Sequence, residues 1–227
     1  GCFGDVLKEQ PGLVGDCVAT MQAAVDVPVS VKCRIGVDAQ APEEILPHFL
    51  DTIRAAGVRR VAIHARKAWL QGLSPKENRD IPPLDYDLVH RMKAAFPDLH
   101  VSVNGGIASL AKAQGFLEAG LDGVMIGRAA YHAPLDILGQ ADSRIFGRPD
   151  PARDAHHVVD EMLPYIAAHL ADGGRLHAVT RHMLGLFAGR PGARAWRRHL
   201  SEGATRPGAG VALVQEALAQ VPRGIAA

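Results

Sequence analysis

Four short apolar runs, separated by amphipathic stretches, constrain the fold of this chain more than any other feature. The runs are VPVSVKCRIG (27–36), VRRVAIHA (58–65), HVSVNGG (100–106) and GVMIGRA (123–129). Between them lie EEILPHFLDTIRAAG (43–57), LVHRMKAAFP (88–97) and SLAKAQGFLEAG (109–120), in which apolar residues recur with helical spacing. Strand and helix alternating at this pitch predict parallel strands joined by right-handed crossovers. Ahead of the first run, Leu13, Val14, Cys17, Val18, Met21 and Val25 fall on one face of a further expected helix, with Cys17 read as core filler. Past about residue 150 the strand pattern stops and helical patterns take over, so a domain change is expected near FGRPDP (146–151), dividing the chain into 1–148 and 149–227.

Successive side chains on a strand point to opposite faces. In the first run Val29, Val31 and Cys33 oppose Ser30, Lys32 and Arg34; in the second, Val61, Ile63 and Ala65 oppose Ala62, His64 and Arg66. In the third, Val101 and Val103 oppose His100, Ser102 and Asn104, and in the fourth Val124 and Ile126 oppose Gly123, Met125 and Gly127. A doubly wound sheet is covered by helices on both faces and should be apolar on both. One aliphatic face and one polar or small face suit a barrel instead. Its mouth, at the C-terminal ends of the strands, would gather Lys32, His64, Asn104 and Gly127.

Composition narrows the function classes. With 48% hydrophobic residues, 227 residues can bury a sizeable core, as one large α/β domain or a medium domain with an appendage. A net charge of +1 argues against wholesale nucleic-acid binding while leaving room for a local basic face. Cys2, Cys17 and Cys33 are odd in number and lack CxxC or paired metal spacing, so neither a disulfide framework nor a metal site is expected and a reducing cytoplasm suits them. No run is apolar enough to span a bilayer and no signal peptide is evident, so the expectation is a soluble intracellular protein without membrane partners.

The candidate chemistry sits at the strand ends. Asn104-Gly105-Gly106 and Gly127-Arg128 each follow a strand and precede a helix, where glycines let backbone N–H groups approach an anion. An NGG turn by itself is equally a plain tight turn; with Gly-Arg one unit later, the pair reads as a phosphate site. Lys32, pointing inward, should need an anionic partner to offset its burial. His64 reads either as a ligand-contacting group or as a hydrogen-bonded core histidine. The second run leads into HARKAWLQGLSPKENR (64–79), whose Arg66, Lys67, Lys76 and Arg79 suit phosphate contacts, Asn78 extending the same surface. Trp69 there is either a packing anchor or a stacking surface for a splayed base. In the tail, Val158, Val159, Met162, Leu163 and Ile166 mark one expected helix and Leu176, Val179, Met183, Leu184 and Phe187 a second. Around them Arg175, Arg181, Arg190, Arg194, Arg197 and Arg198 stand with almost no acid, a balance that suits RNA. Trp196 reads as helix packing.

VSVKCRIGVD, IHARKAWLQGLSPKENRDIPPLDY, SVNGGI, DGVMIGRAAY and RHMLGLFAGRPGARAWRRHLS resemble the tRNA-dihydrouridine synthase family, specifically its A-type subfamily. The resemblance implies a TIM-type (β/α)8 barrel that binds FMN, followed by a C-terminal all-helical domain that helps to hold tRNA. It implies NADPH as reductant of the flavin, and reduction of D-loop uridines at tRNA positions 20 and 20a. It assigns the cofactor to Lys32, His64, Asn104, Gly105, Gly106, Gly127 and Arg128. On this reading Arg66, Lys67, Lys76, Arg79, Arg181, Arg194, Arg197 and Arg198 contact tRNA.

The chain departs from the family in one respect. The family's catalytic cysteine lies in an N-x-G-C-P-S turn that does not occur here, and GCFGDVL resembles a segment beyond that turn, with Asp5 and Lys8 in place of small and apolar residues. Cys2 therefore does not match the catalytic acid, and the catalytic residue is unassigned. The resemblance implies an N-terminally truncated fragment, with only the later barrel strands present, that exposes a sheet edge and an apolar face. The full-length protein is expected to be a monomer. Two other readings stand beside this one: a non-catalytic RNA-binding truncation, and an FMN barrel that reduces free pyrimidines.

Overall fold

The structure is a computed structural model that describes residues 4–151 and 154–223, so Cys2 lies outside the described residues. Four strands form its sheet: β1 (Val31–Arg34), β2 (Arg60–His64), β3 (His100–Asn104) and β4 (Gly123–Met125). They pair in parallel in the order β1-β2-β3-β4. A doubly wound sheet reverses its order at a switch point. This sheet advances in one direction, as consecutive strands of a β/α barrel do.

Helix α1 (Pro11–Ala24) precedes the sheet, and α2 (Pro42–Ala55), α3 (Tyr86–Ala95) and α4 (Leu110–Glu118) follow β1, β2 and β3. The local chemistry sets their ends. α2 opens on Pro42 with Glu43 and Glu44 in its first turn and carries Arg54 in its last, matching the helix dipole at both ends. α3 starts at Asp85, whose carboxylate accepts the Leu88 N–H at 2.8 Å. Leu46, Phe49, Leu50 and Ile53 of α2, with Leu88 and Val89 of α3, close over Val61, Ile63, Val101 and Val103, all buried. Burying each such side chain stabilises the fold by about 1.5–3 kcal/mol.

α1 docks by one edge of its apolar stripe, Val18 being buried and Val14 packed against the core. Gly15 and Val18 are its buried residues. A Cβ on Gly15 would meet Thr52 Cγ2 at 3.6 Å and Ala56 Cβ at 3.7 Å, so α2 lies close along this line. Leu13, Met21 and Val25 are consequently exposed, and Cys17 is exposed too, which corrects its reading as core filler. The smallest residue decides the contact because it permits the nearest approach of the two backbones.

By its contacts the chain divides into two units, Gly1–Ile107 with Ala111–Ile126, and Ala108–Leu110 with Gly127–Ala227. The boundary expected at residue 148 falls inside the second. That unit holds α5 (Arg128–His132), α6 (Pro134–Leu138), α7 (Ala141–Phe146), α8 (Ala155–Ala171), α9 (Leu176–Thr180), α10 (Ala193–Gly203) and α11 (Val211–Ala219). Its core is Val159 and Ile166 of α8 with Leu176, Phe187, Leu200, Val214 and Trp196. Trp196 meets Phe187 edge to face at 5.0 Å between ring centres and donates its indole N–H to Met183 O at 3.1 Å. The expected second tail helix is shorter than its apolar spacing implied. α9 stops at Thr180, and Met183, Leu186 and Ala188 continue as turns bonded three residues back. The apolar spacing survives, because a three-residue turn keeps every third side chain on the core side. Gly185 lies against the backbone at His132, where a Cβ would come within 2.4 Å of the carbonyl oxygen.

Candidate functional site

The register of the parallel strands lays the candidate residues out in rungs. Lys32, Ala62, Ser102 and Gly123 form one rung, and Arg34, His64, Asn104 and Met125 form the next toward the C-terminal end. Rungs two residues apart share a face and stand about 6.6 Å apart along the strands. The intervening rung, Cys33, Ile63, Val103 and Val124, points the other way into the helix-covered core. Of the four residues expected round one mouth, Lys32, His64 and Asn104 share this polar face, with one oppositely facing rung between Lys32 and the other two, while Gly127 belongs to the second unit.

Their environments differ. Lys32 is exposed, which corrects the expectation that it is buried and needs an anion for that reason. His64 is only 7% exposed. What covers it is the turn after β3. Gly105 has φ +112°, and a Cβ there would lie 2.5 Å from His64 Cδ2 and 2.9 Å from Nε2. Tyr86 donates its hydroxyl to Gly105 O at 2.6 Å, and Lys112 Nζ lies 3.2 Å from that hydroxyl and 3.4 Å from Gly106 O. The Gly105-Gly106 turn is therefore held from α3 and α4 rather than left as a free loop. Asn104 spends its amide N–H on Met125 O at 2.8 Å, tying β3 to β4 at the top of the polar face.

Arg34 emerges as a residue that the sequence reading did not assign to the site, and Asn78, expected to extend the exposed surface of Lys76 and Arg79, is instead buried. Arg34 is 9% exposed and sends Nη1 to Lys67 O at 3.1 Å and Asn78 O at 2.9 Å. Lys8, also buried, donates Nζ to Arg34 O and stands 5.2 Å over the Phe49 ring. Asn78, 8% exposed, accepts the Trp69 N–H at 2.7 Å and donates to Trp69 O at 2.7 Å and Leu73 O at 3.3 Å. The signal for Arg34 was in the sequence, since strand alternation puts it on the face of Lys32. Asn78 carried no such signal, because its role depends on how the loop closes.

The loop after β2 sorts its cations. Arg66, half-buried, sends Nη1 to the carbonyls of Asp80 and Pro82, so this guanidinium stabilises the loop itself. Lys67 Nζ lies 5.4 Å from the centre of the Trp69 ring. Lys76 and Arg79 are exposed. Ser74 and Glu77 bond reciprocally, Ser74 N–H to the carboxylate at 2.8 Å and Glu77 N–H to Ser74 Oγ at 3.3 Å. The Ser74 side chain and then its backbone N–H hold the Glu77 carboxyl below the usual carboxylate range.

In the second unit, α10 buries Ala193, Trp196 and Leu200 and exposes Arg194, Arg197 and Arg198 on its other side. Arg181, also exposed, donates Nε to His182 Nε2 at 3.0 Å, and His182 Nδ1 lies 2.9 Å from the Tyr131 hydroxyl. Gly127 and Arg128 are exposed at the N-terminus of the five-residue helix α5. Among the described residues no group of three or more His, Cys, Asp or Glu is placed to hold a metal ion. No helix among them is long and apolar enough to cross a membrane.

Residues 1–221 match the dihydrouridine synthase (Dus) family. The chain is 53% identical over 227 residues to the tRNA-dihydrouridine(20/20a) synthase of Shewanella oneidensis, covering all of this chain and 67% of that protein. It is 52% identical over 223 residues to the enzyme of that name from Vibrio cholerae, covering 98% and 68%. With the Escherichia coli K12 protein the identity is 51% over 219 residues, covering 96% and 63%. The chain thus spans about two thirds of the length of these relatives. Among solved structures, mandelate oxidase is 13% identical with a TM-score of 0.41, covering 91% of this chain and 66% of that one.

Proposed function

The chain belongs to the dihydrouridine synthase family, and from that premise we propose that it serves the FMN- and NADPH-dependent reduction of D-loop uridines, at positions 20 and 20a of tRNA, to 5,6-dihydrouridine in the cytoplasm. The observation that carries this reading is the polar face of the sheet at its C-terminal end. Lys32 and His64 stand there on the same face, two residues apart in register, with His64 against the Gly105-Gly106 turn. The names of relatives about 50% identical support the substrate.

The residues present fit a flavin. The lower rung is floored by Ala62, Ser102 and Gly123, small side chains that leave a flat surface beside Lys32. The Cβ positions of Gly105 and Gly106 are filled by His64, Leu84 and Tyr86, so an anion would have to meet the backbone N–H groups of this turn from its other side. Bound flavin would supply the hydride for the C5–C6 double bond of uracil. Lys32 would offset negative charge at the ring by its ammonium group, and His64, fixed by the turn, would offer a ring N–H. Asn104, Gly105 and Gly106 would hold the phosphate through the turn's backbone. Gly127 and Arg128 begin the other unit, and the reading rests on the first unit alone. Lys67, Lys76 and Arg79, with Arg181, Arg194, Arg197 and Arg198 of the helical unit, would neutralise RNA phosphates. We assign no proton donor to C5.

The test is a visible spectrum of the 227-residue chain after incubation with FMN and gel filtration, followed by NADPH oxidation with unmodified tRNA and mass analysis for dihydrouridine. A retained flavin spectrum and tRNA-dependent oxidation are expected. Retained flavin with oxidation indifferent to tRNA would replace tRNA by a free pyrimidine, and a colourless chain that still binds tRNA would reduce the function to RNA binding.

A further inference from the structure

The chain has two tryptophans, and the structure treats them in opposite ways. Trp196 is fully buried with its indole N–H bonded. Trp69 is 40% exposed, next to Leu70 at 39%. A tryptophan that anchors a loop by packing is buried, as Trp196 is.

The backbone beneath Trp69 is nevertheless tightly fixed. Ala68 donates to Gly36 O at 2.9 Å and accepts from Asp38 N at 2.7 Å. Asn78 takes both the N–H and the carbonyl of Trp69 at 2.7 Å each, and Leu70 N–H reaches the Asp38 carboxylate at 2.8 Å. Asn78 is itself buried and its carbonyl is held by Arg34. An apolar ring presented on a rigid loop loses little entropy on binding, the property that makes tryptophan effective at recognition surfaces. Its surroundings select the partner. Lys67 Nζ stands over one face of the ring, 5.4 Å from its centre, so a base would stack on the opposite face; Lys76 and Arg79 are exposed on the same loop, and the Glu77 carboxylate is engaged by Ser74. An aromatic face flanked by cations matches a nucleobase with its phosphate.

We infer that Trp69 is the stacking platform for an unstacked base of the RNA substrate, that Lys67 meets the adjoining phosphate, and that Asn78 and Arg34 are positioning residues that hold the platform. This rests on the proposed function, since it names where that substrate's base lies. Stacking on an aromatic side chain is lost on truncation at a cost of about tenfold or more in affinity.

Because Trp196 is buried, the accessible tryptophan signal is that of Trp69. The experiment titrates the 227-residue chain, Trp69→Leu, Trp69→Phe and Asn78→Ala with unmodified tRNA and with oligouridine, reading tryptophan fluorescence, acrylamide quenching and Kd by filter binding. For the unsubstituted chain, RNA should quench the emission and shield it from acrylamide. Trp69→Leu should raise Kd by about tenfold or more. Trp69→Phe, which keeps an aromatic face, should keep most of the affinity that Trp69→Leu loses, with both variants matching the unsubstituted chain in urea midpoint. Asn78→Ala should weaken binding and leave Trp69 open to acrylamide with RNA present. If tRNA binds the unsubstituted chain but Trp69→Leu binds within twofold of it, the stacking role is overturned and the RNA function stands. If the unsubstituted chain binds no tRNA at low salt, the function and this inference fall together.

Discussion

Replacing Gly105 by alanine tests the geometry on which the candidate site depends. The substitution adds one methyl group, and two costs can be worked from the structure. The first is backbone strain: φ is +112°, outside the left-handed region that L residues visit, and such conformations cost about 1–3 kcal/mol. The second is overpacking: the new Cβ would fall 2.5 Å from His64 Cδ2 and 3.0 Å from Leu84 Cδ2, and forcing a buried ring aside costs about 1–3 kcal/mol. Together they remove about 2–6 kcal/mol, a large part of the stability of an ordinary domain. Gly106→Ala is the control. Its φ of +61° lies in the left-handed region, and the atoms in its way, Leu84 Cδ1 at 2.7 Å and the Tyr86 hydroxyl at 3.2 Å, belong to the ends of side chains. About 1–2 kcal/mol is expected there. Urea denaturation followed by circular dichroism should rank the midpoints wild type, Gly106→Ala, Gly105→Ala from highest to lowest. In a His64→Ala background the penalty of Gly105→Ala should lose the part of its overpacking that comes from the imidazole and keep its strain part. Equal penalties at the two glycines, or no relief on removing the imidazole, would refute the close approach of turn and ring. FMN retention measured on the same samples should follow the same ranking.

Three further outcomes are expected. Arg34→Met leaves the buried carbonyls of Lys67 and Asn78 without their guanidinium and should cost about 2–4 kcal/mol, read as faster amide exchange from Lys67 to Arg79 while α2 keeps its protection. Asp154→Ala removes the cap that accepts the His157 N–H at 2.8 Å and should cost about 1 kcal/mol, with the loss confined to the helical unit. Because the Glu77 carboxyl is held below its ordinary value, its bond to Ser74 contributes stability that is complete above the unfolded glutamate value of about 4.3 and is lost as the pH falls through the lowered folded value. Carbon-detected NMR titration should show this, and Ser74→Ala should return Glu77 toward the ordinary range.

Periodicity made the sheet and its polar face legible. Lys32 next to Cys33, His64 next to Ile63 and Asn104 next to Val103 alternate with the two-residue period of a strand, and slipping by one residue would have buried every polar member. The resemblance to the family assigned an expected chemistry to the same residues. Alternation also placed Arg34 on that face, but its direction toward the loop carbonyls depends on a segment more than thirty residues away in sequence. The exposure of Lys32 likewise follows from what surrounds it, which no local pattern records.

The sequence by itself determined the order of strands and helices, which strand residues share a face, and the helical character of most of the tail, because these follow from short-range periodicity and capping. Tertiary structure alone decided how deep each polar side chain sits and which edge of the apolar stripe of α1 docks, at the close approach of Gly15. It also decided that one tryptophan packs while the other stands open on a loop held by Asn78 and Arg34. Burial and long-range hydrogen bonds depend on partners distant in the chain, and those distances exist only once the backbone has closed on itself.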